Sequence, residues 1–119
     1  PQKDVINWAI KNNADIEITD EPKRAVKNAD AILTDTWVSM GEEGMDNPEK
    51  IFNNFQVNEA LFKEANENAI FMHCLPAHRG QEVTKEIIDG PRSVVWDEAE
   101  NRLHIQKSIL SWSIADKLI

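Results

Sequence analysis

Short apolar runs alternate with helix-patterned segments along most of this chain, and no other feature constrains its fold as much. Ile16–Thr19, Ala31–Thr34, Ala69–Met72 and Ser93–Trp96 read as strands of four residues each. Segments with helical spacing of apolar residues lie before, between and after them. Strands that alternate with helices form βα units, so the expected fold is α/β: a mainly parallel sheet of about four strands flanked by helices. Right-handed crossovers place the carboxyl ends of all such strands on one edge. Asp35 and Cys74, each just past a strand, therefore fall on the same edge, where ligands bind in open parallel sheets.

The helical segments are read as follows. Residues 3 to 14 carry Val5, Ile6, Ala9 and Ile10 on one side, and Asn12-Asn13 supplies a stop. Asp20 is a natural N-cap for a short helix containing Pro22 and running to Ala29. Pro48 to Phe55 forms a helical turn, Asn58 caps a helix carrying Ala60, Leu61 and Ala65, and Val83 to Ile88 is stopped by Asp89-Gly90-Pro91. Asp97 caps the longest helix, spanning about residues 97–118. Its apolar residues form two stripes, one through Ala99, Leu103, Leu110 and Ile114 and one through Ile105, Ile109 and Trp112. A surface helix shows a single stripe. Two stripes call for cover on two sides, and predict a partner domain, self-association or an uncovered apolar face.

Composition narrows the function. The 119 residues carry a net charge of −8, which repels nucleic acid and anionic lipid. No stretch reaches the ~18 apolar residues of a membrane span, and no signal-peptide pattern opens the chain. One cysteine forms no internal disulfide. The expected location is cytoplasmic. The chain opens at Pro1, with no methionine, as a cleaved or truncated product would.

The candidate chemistry collects in two loops. Phe71 to Gly80 takes an apolar run into the sole cysteine, flanked by His73, His78 and Arg79. A lone cysteine is more often a small buried apolar residue; here the basic neighbours and the strand-end position favour an activated thiol. His73, Cys74 and His78 also invite a zinc reading, but a structural site wants four ligands, and His104, the remaining histidine, lies in the long helix. No metal is expected. Asp35 at a strand end is by default a loop cap. The loop that follows, with Ser39, Met40 and Gly41, can hold a carboxylate or amine. Glu42-Glu43 reads as a solvated pair. Arg102, one turn inside the long helix, would by default pair with Glu98 or solvent, and near the strand-end edge could offer its forked donors to a carbonyl or phosphate oxygen. The dinucleotide, P-loop, serine-hydrolase and zincin signatures are all absent.

Asp35-Thr36-Trp37-Val38-Ser39-Met40-Gly41 resembles the ornithine-binding D-x-W-x-S-M-G loop of ornithine carbamoyltransferases. His73-Cys74-Leu75-Pro76 resembles that family's H-C-L-P signature, and Asp89-Gly90-Pro91-Arg92-Ser93 with Glu98 to His104 resembles its C-terminal segment. The resemblance runs from about Pro1 to the end. It implies a Rossmann-like, three-layer fold and transfer of the carbamoyl group of carbamoyl phosphate to the δ-amine of L-ornithine, without metal or organic cofactor, in a trimer with sites at subunit boundaries. By resemblance Asp35, Ser39 and Met40 bind ornithine. Cys74 and the Leu75 carbonyl lie where the amine meets the carbamoyl group, and Arg102 contacts carbamoyl phosphate. The family's S-T-R-T, H-P-x-Q and G-D-x-N-N motifs do not occur here. The expectation is a partial ornithine-binding domain over residues 1–119, its long helix packing on an N-terminal domain, and catalytically inactive alone. Putrescine or acetylornithine transfer, and a non-catalytic ornithine-binding or assembly module, are the alternative readings.

Overall fold

Two apolar runs find each other and set the frame. In the computed structural model, which describes residues 2–38 and 47–115, Ala31–Thr34 (β1) and Ile70–His73 (β2) pair in parallel, with Ile32 opposite Phe71 and Thr34 opposite His73. Side chains alternate across a strand. Ile32, Phe71 and His73 therefore turn into the core, while Leu33 and Ile70 on the other face are exposed and Met72 is half-buried.

The helices, in chain order, are α1 (Lys3–Lys11), α2 (Pro22–Val26), α3 (Pro48–Phe52, continued by a 3-10 turn through Phe55), α4 (Glu59–Phe62), α5 (Lys85–Ile88) and α6 (Val95–Ala115). Val26 of α2, Leu61 and Phe62 of α4, and Ile87 and Ile88 of α5 close over Ile32 and Phe71, and Val95 at the start of α6 completes the core. Val57 and Val83, both buried, join the segments entering α4 and α5: Val57 N–H donates to Glu82 O, and Thr84 N–H to Val57 O. Asn58 caps α4 as expected, its side chain accepting from Leu61 N–H at 3.0 Å.

The chain is α/β, with a parallel sheet and helices, and several expected boundaries change. Among the described residues the sheet has two strands rather than about four. Ile16–Thr19 alternates like a strand but pairs with no described strand, and Ile16 and Ile18 are exposed. A strand is stable only when its backbone groups are paired. Ser93–Trp96 contributes a single parallel bridge, Ser93 opposite Phe71. It stops there because the Val94 carbonyl accepts Glu98 N–H, which begins α6 at Val95 instead of after Asp97. Glu21, not Asp20, precedes α2, and that helix ends at Val26 rather than Ala29. Beyond Glu98, the apolar residues of α6 are left uncovered by the described residues: Leu103, Ile105, Ile109, Leu110, Trp112 and Ile114 are all exposed, Ile114 at 82%. Both apolar stripes stand open. Among the described residues, no helix is long and apolar enough to cross a membrane.

Candidate active site

Parallel pairing delivers the site. Thr34 and His73 are the last partners of β1 and β2, so the next residue on each strand, Asp35 and Cys74, emerges side by side at the carboxyl edge. The Cys74 thiol donates to Asp35 Oδ1 at 3.1 Å, and the same oxygen accepts Thr36 N–H at 2.7 Å. The two ionisations pull in opposite directions. The thiol bond, followed by the Thr36 amide, holds the Asp35 carboxyl below its usual range. The hydrogen bond to Asp35, then burial and the nearby carboxylate charge, push Cys74 above the ordinary thiol range. At neutral pH the pair is a carboxylate and a neutral thiol. The basic-neighbour argument for an activated thiolate does not hold here, because an anion, not a cation, touches the sulfur.

His73 points the other way. Its Nδ1 accepts Leu75 N–H at 2.8 Å, so in the neutral ring Nε2 bears the proton and donates to Glu82 Oε1 at 3.2 Å. Both side chains are fully buried. Glu82 Oε1 also accepts His78 N–H at 2.6 Å, and Glu82 Oε2 lies 3.8 Å from His78 Nδ1. These bonds brace the turn through Leu75, whose φ of 54° is left-handed. His73 and His78 both face Glu82, Cys74 faces Asp35, and His104 pairs with Glu100 on α6, so among the described residues the candidate ligands His73, Cys74 and His78 do not converge.

Beside the turn lies a groove of about 670 Å³. Cys74, Leu75 and Arg79 line one wall, and Trp96, Arg102 and Gln106 of α6 the other. Arg79 is held by Asp89 in a two-pronged pair, at 3.0 and 2.6 Å. Arg102 forms no salt bridge among the described residues. Glu98, its expected partner, instead accepts His73 N–H at 2.9 Å. The structure therefore brings Asp35, Cys74, Leu75 and Arg102 together at one edge. Ser39 and Met40 lie outside the described residues. Sequence reasoning missed Glu82 and the contact of Glu98 with β2. Nothing in the spacing marks Glu82, and the sequence places Glu98 only as a neighbour of Arg102.

The family model described as "Aspartate/ornithine carbamoyltransferase, Asp/Orn binding domain" matches residues 1–113. The chain belongs to this family. It has relatives in both sequence and structure. It is 55% identical over 117 residues to an ornithine carbamoyltransferase of Brucella abortus, covering 98% of this chain and 38% of that protein. The solved ornithine carbamoyltransferase of Pyrococcus furiosus superposes with a TM-score of 0.84 at 52% identity, over 93% of this chain and 37% of that one. A solved N-acetyl-L-ornithine transcarbamylase gives a TM-score of 0.73 at 30% identity, over 93% of this chain and 36% of that one. The chain thus has the Rossmann-like fold of its structural neighbours, and spans about 38% of the length of the relatives it matches.

Proposed function

We propose that this chain is part of the ornithine-binding domain of an ornithine carbamoyltransferase, an enzyme acting in the cytoplasm. The observation that carries the reading is that Cys74, bonded to Asp35, lines the same groove as Arg102, in a chain of this family. Ornithine is favoured over acetylornithine because, between solved structures, identity to the ornithine enzyme of Pyrococcus furiosus is 52%, against 30% to the acetylornithine enzyme.

The chemistry follows from the groups present. An alkyl ammonium, with a pKa near ~10 by analogy with lysine, must lose a proton before it attacks. The Asp35 carboxylate, with Ser39 and Met40 beyond it, supplies the anion and contacts that hold the amino acid. The Cys74 thiol and the Leu75 carbonyl orient the free amine, so that attack gains from proximity. The amine nitrogen bonds to the carbamoyl carbon, the bond from that carbon to the phosphate oxygen breaks, and phosphate leaves with its electron pair and takes up the proton that the nitrogen gives up. Arg102 stabilises negative charge on the carbamoyl oxygen as the bond forms. A neutral thiol next to a carboxylate suits orientation better than covalent attack.

Carbamoyl phosphate is cradled by a second, N-terminal domain, and the exposed apolar stripes of α6 pack against it. The active oligomer is a trimer. The chain alone is therefore inactive but retains contacts for ornithine. Two measurements test this: citrulline formation by the purified chain, expected at background, and calorimetry with ornithine. No binding heat at millimolar ornithine would overturn the ornithine-site reading, and turnover by the chain alone would overturn the half-site reading.

A further inference from the structure

On the side of β2 away from β1, the backbone reaches the segment entering α6. Phe71 N–H donates to Arg92 O, and Val94 N–H to Phe71 O. Alternate amides of a strand point the same way, so His73 N–H faces the same side, where the Val94 carbonyl would be its next partner. That carbonyl is taken, because it accepts Glu98 N–H to start the helix. The Glu98 carboxylate fills the gap, its Oε2 accepting His73 N–H at 2.9 Å. One residue thus removes the strand's acceptor with its backbone and replaces it with its side chain.

The geometry points to Glu98 as a positioning residue that holds Arg102 at the groove by tying the first turns of α6 to the backbone of His73, the residue before Cys74. This rests on the reading of the groove as half of a carbamoyl-transfer site. Val95 is buried, Glu98 is half-buried, and the residues from Ala99 to Leu110 are exposed. Among the described residues, the Glu98 bond is therefore the last polar tie between the helix and the sheet before Arg102. At 1.5 Å per residue, Arg102 lies about 10 Å along the axis from Val95, so a tilt of about 10° there moves it by about 2 Å. A misplacement of about 1 Å costs on the order of 100-fold in a reaction that depends on alignment. Glu98 makes no salt bridge with Arg102, one helical turn away, which leaves the guanidinium open to the groove.

The test uses the chain itself and a chimera in which it replaces the matching segment of the Pyrococcus furiosus enzyme. Glu98→Ala and Glu98→Leu both remove the acceptor, one shrinking and one keeping the side chain's bulk; Glu98→Gln keeps an acceptor oxygen. In the chain, hydrogen exchange at the His73 amide should quicken at least about tenfold in the first two and stay slow in the third, as loss of a single protecting bond predicts. In the chimera, kcat should fall about 10- to 100-fold for Ala and Leu, with ornithine KM within about twofold, and Gln should restore most of it. Unchanged kcat in folded Ala or Leu variants overturns the positioning role, and so does a Gln variant as slow as they are. An unsubstituted chimera that forms no citrulline overturns the functional reading on which the role rests; His73 exchange in the chain separately decides whether the tie exists.

Discussion

The Cys74 thiol donates to Asp35 Oδ1 across 3.1 Å, joining residues 39 positions apart that follow the last paired residues of β1 and β2. The contact fixes which of the two groups is charged. It also makes the thiol a direct readout of the carboxylate beside it.

Alkylation of Cys74 should therefore follow pH with a midpoint above that of an ordinary thiol, because the folded environment raises its pKa. Asp35→Ala removes the accepting carboxylate and should move that midpoint down. Rates with iodoacetamide across the alkaline range measure it; an unchanged midpoint would show that Asp35 does not control the sulfur.

Stability at the acid and alkaline ends should respond with opposite signs. Asp35 and Asp89 are held below the usual carboxylate range, Asp35 first by the Cys74 bond and Asp89 by Arg79. Their contribution is present above the unfolded carboxylate pKa and disappears as pH falls through the lower folded values. Cys74 is raised, so its contribution is complete below the unfolded thiol pKa and is lost as pH climbs through the folded one. Urea midpoints should fall less steeply with acid in Asp35→Asn, and less steeply with alkali in Cys74→Ala, than in the parent.

Glu82 should matter more to stability than its distance from the groove implies. Its Oε1 accepts from His73 Nε2–H and His78 N–H inside the core. Glu82→Ala strands both donors and should cost about 2–5 kcal/mol, whereas Glu82→Gln, which keeps an acceptor oxygen, should cost clearly less. Urea unfolding of the two variants checks the order as well as the size.

Two glycines should separate steric from conformational cost. A Cβ on Gly90 would collide with the Glu86 carbonyl oxygen, which belongs to the α5 backbone. A Cβ on Gly80 meets nothing within 4 Å, but its φ is +90°. Gly90→Ala should lose about 1–3 kcal/mol through forced backbone movement. Gly80→Ala should lose on the order of 1 kcal/mol from the φ alone. Thermal melts that reversed this order would contradict the packing described at the end of α5.

What the sequence revealed depended on whether a pattern also found its partner. Ala31–Thr34 and the run into His73 are apolar and adjacent in the fold, so strand identity, parallel pairing and the meeting of Asp35 with Cys74 all follow from the βα alternation. Ile16–Thr19 has the same local pattern and no described strand beside it, and local pattern cannot supply one. Ser93–Trp96 is rich in strand-forming residues, yet one carbonyl, that of Val94, is taken by the helix and ends the pairing. Within the site, motifs marked Asp35, Cys74, Leu75 and Arg102. They could not mark Glu82, because a buried carboxylate on a turn nine residues from His73 obeys no periodicity. The charge state of Cys74 escapes the sequence for a related reason: neighbours in sequence are basic, but the neighbour in space is acidic.

The in-register ends of β1 and β2 also turn the site into a clock for folding. The thiol and carboxylate come from opposite strands, so neither acquires its shifted ionisation until those strands have paired. The single cysteine is then a native sensor of that event. Pulsed alkylation during refolding would time sheet assembly at the residue pair that the site itself uses.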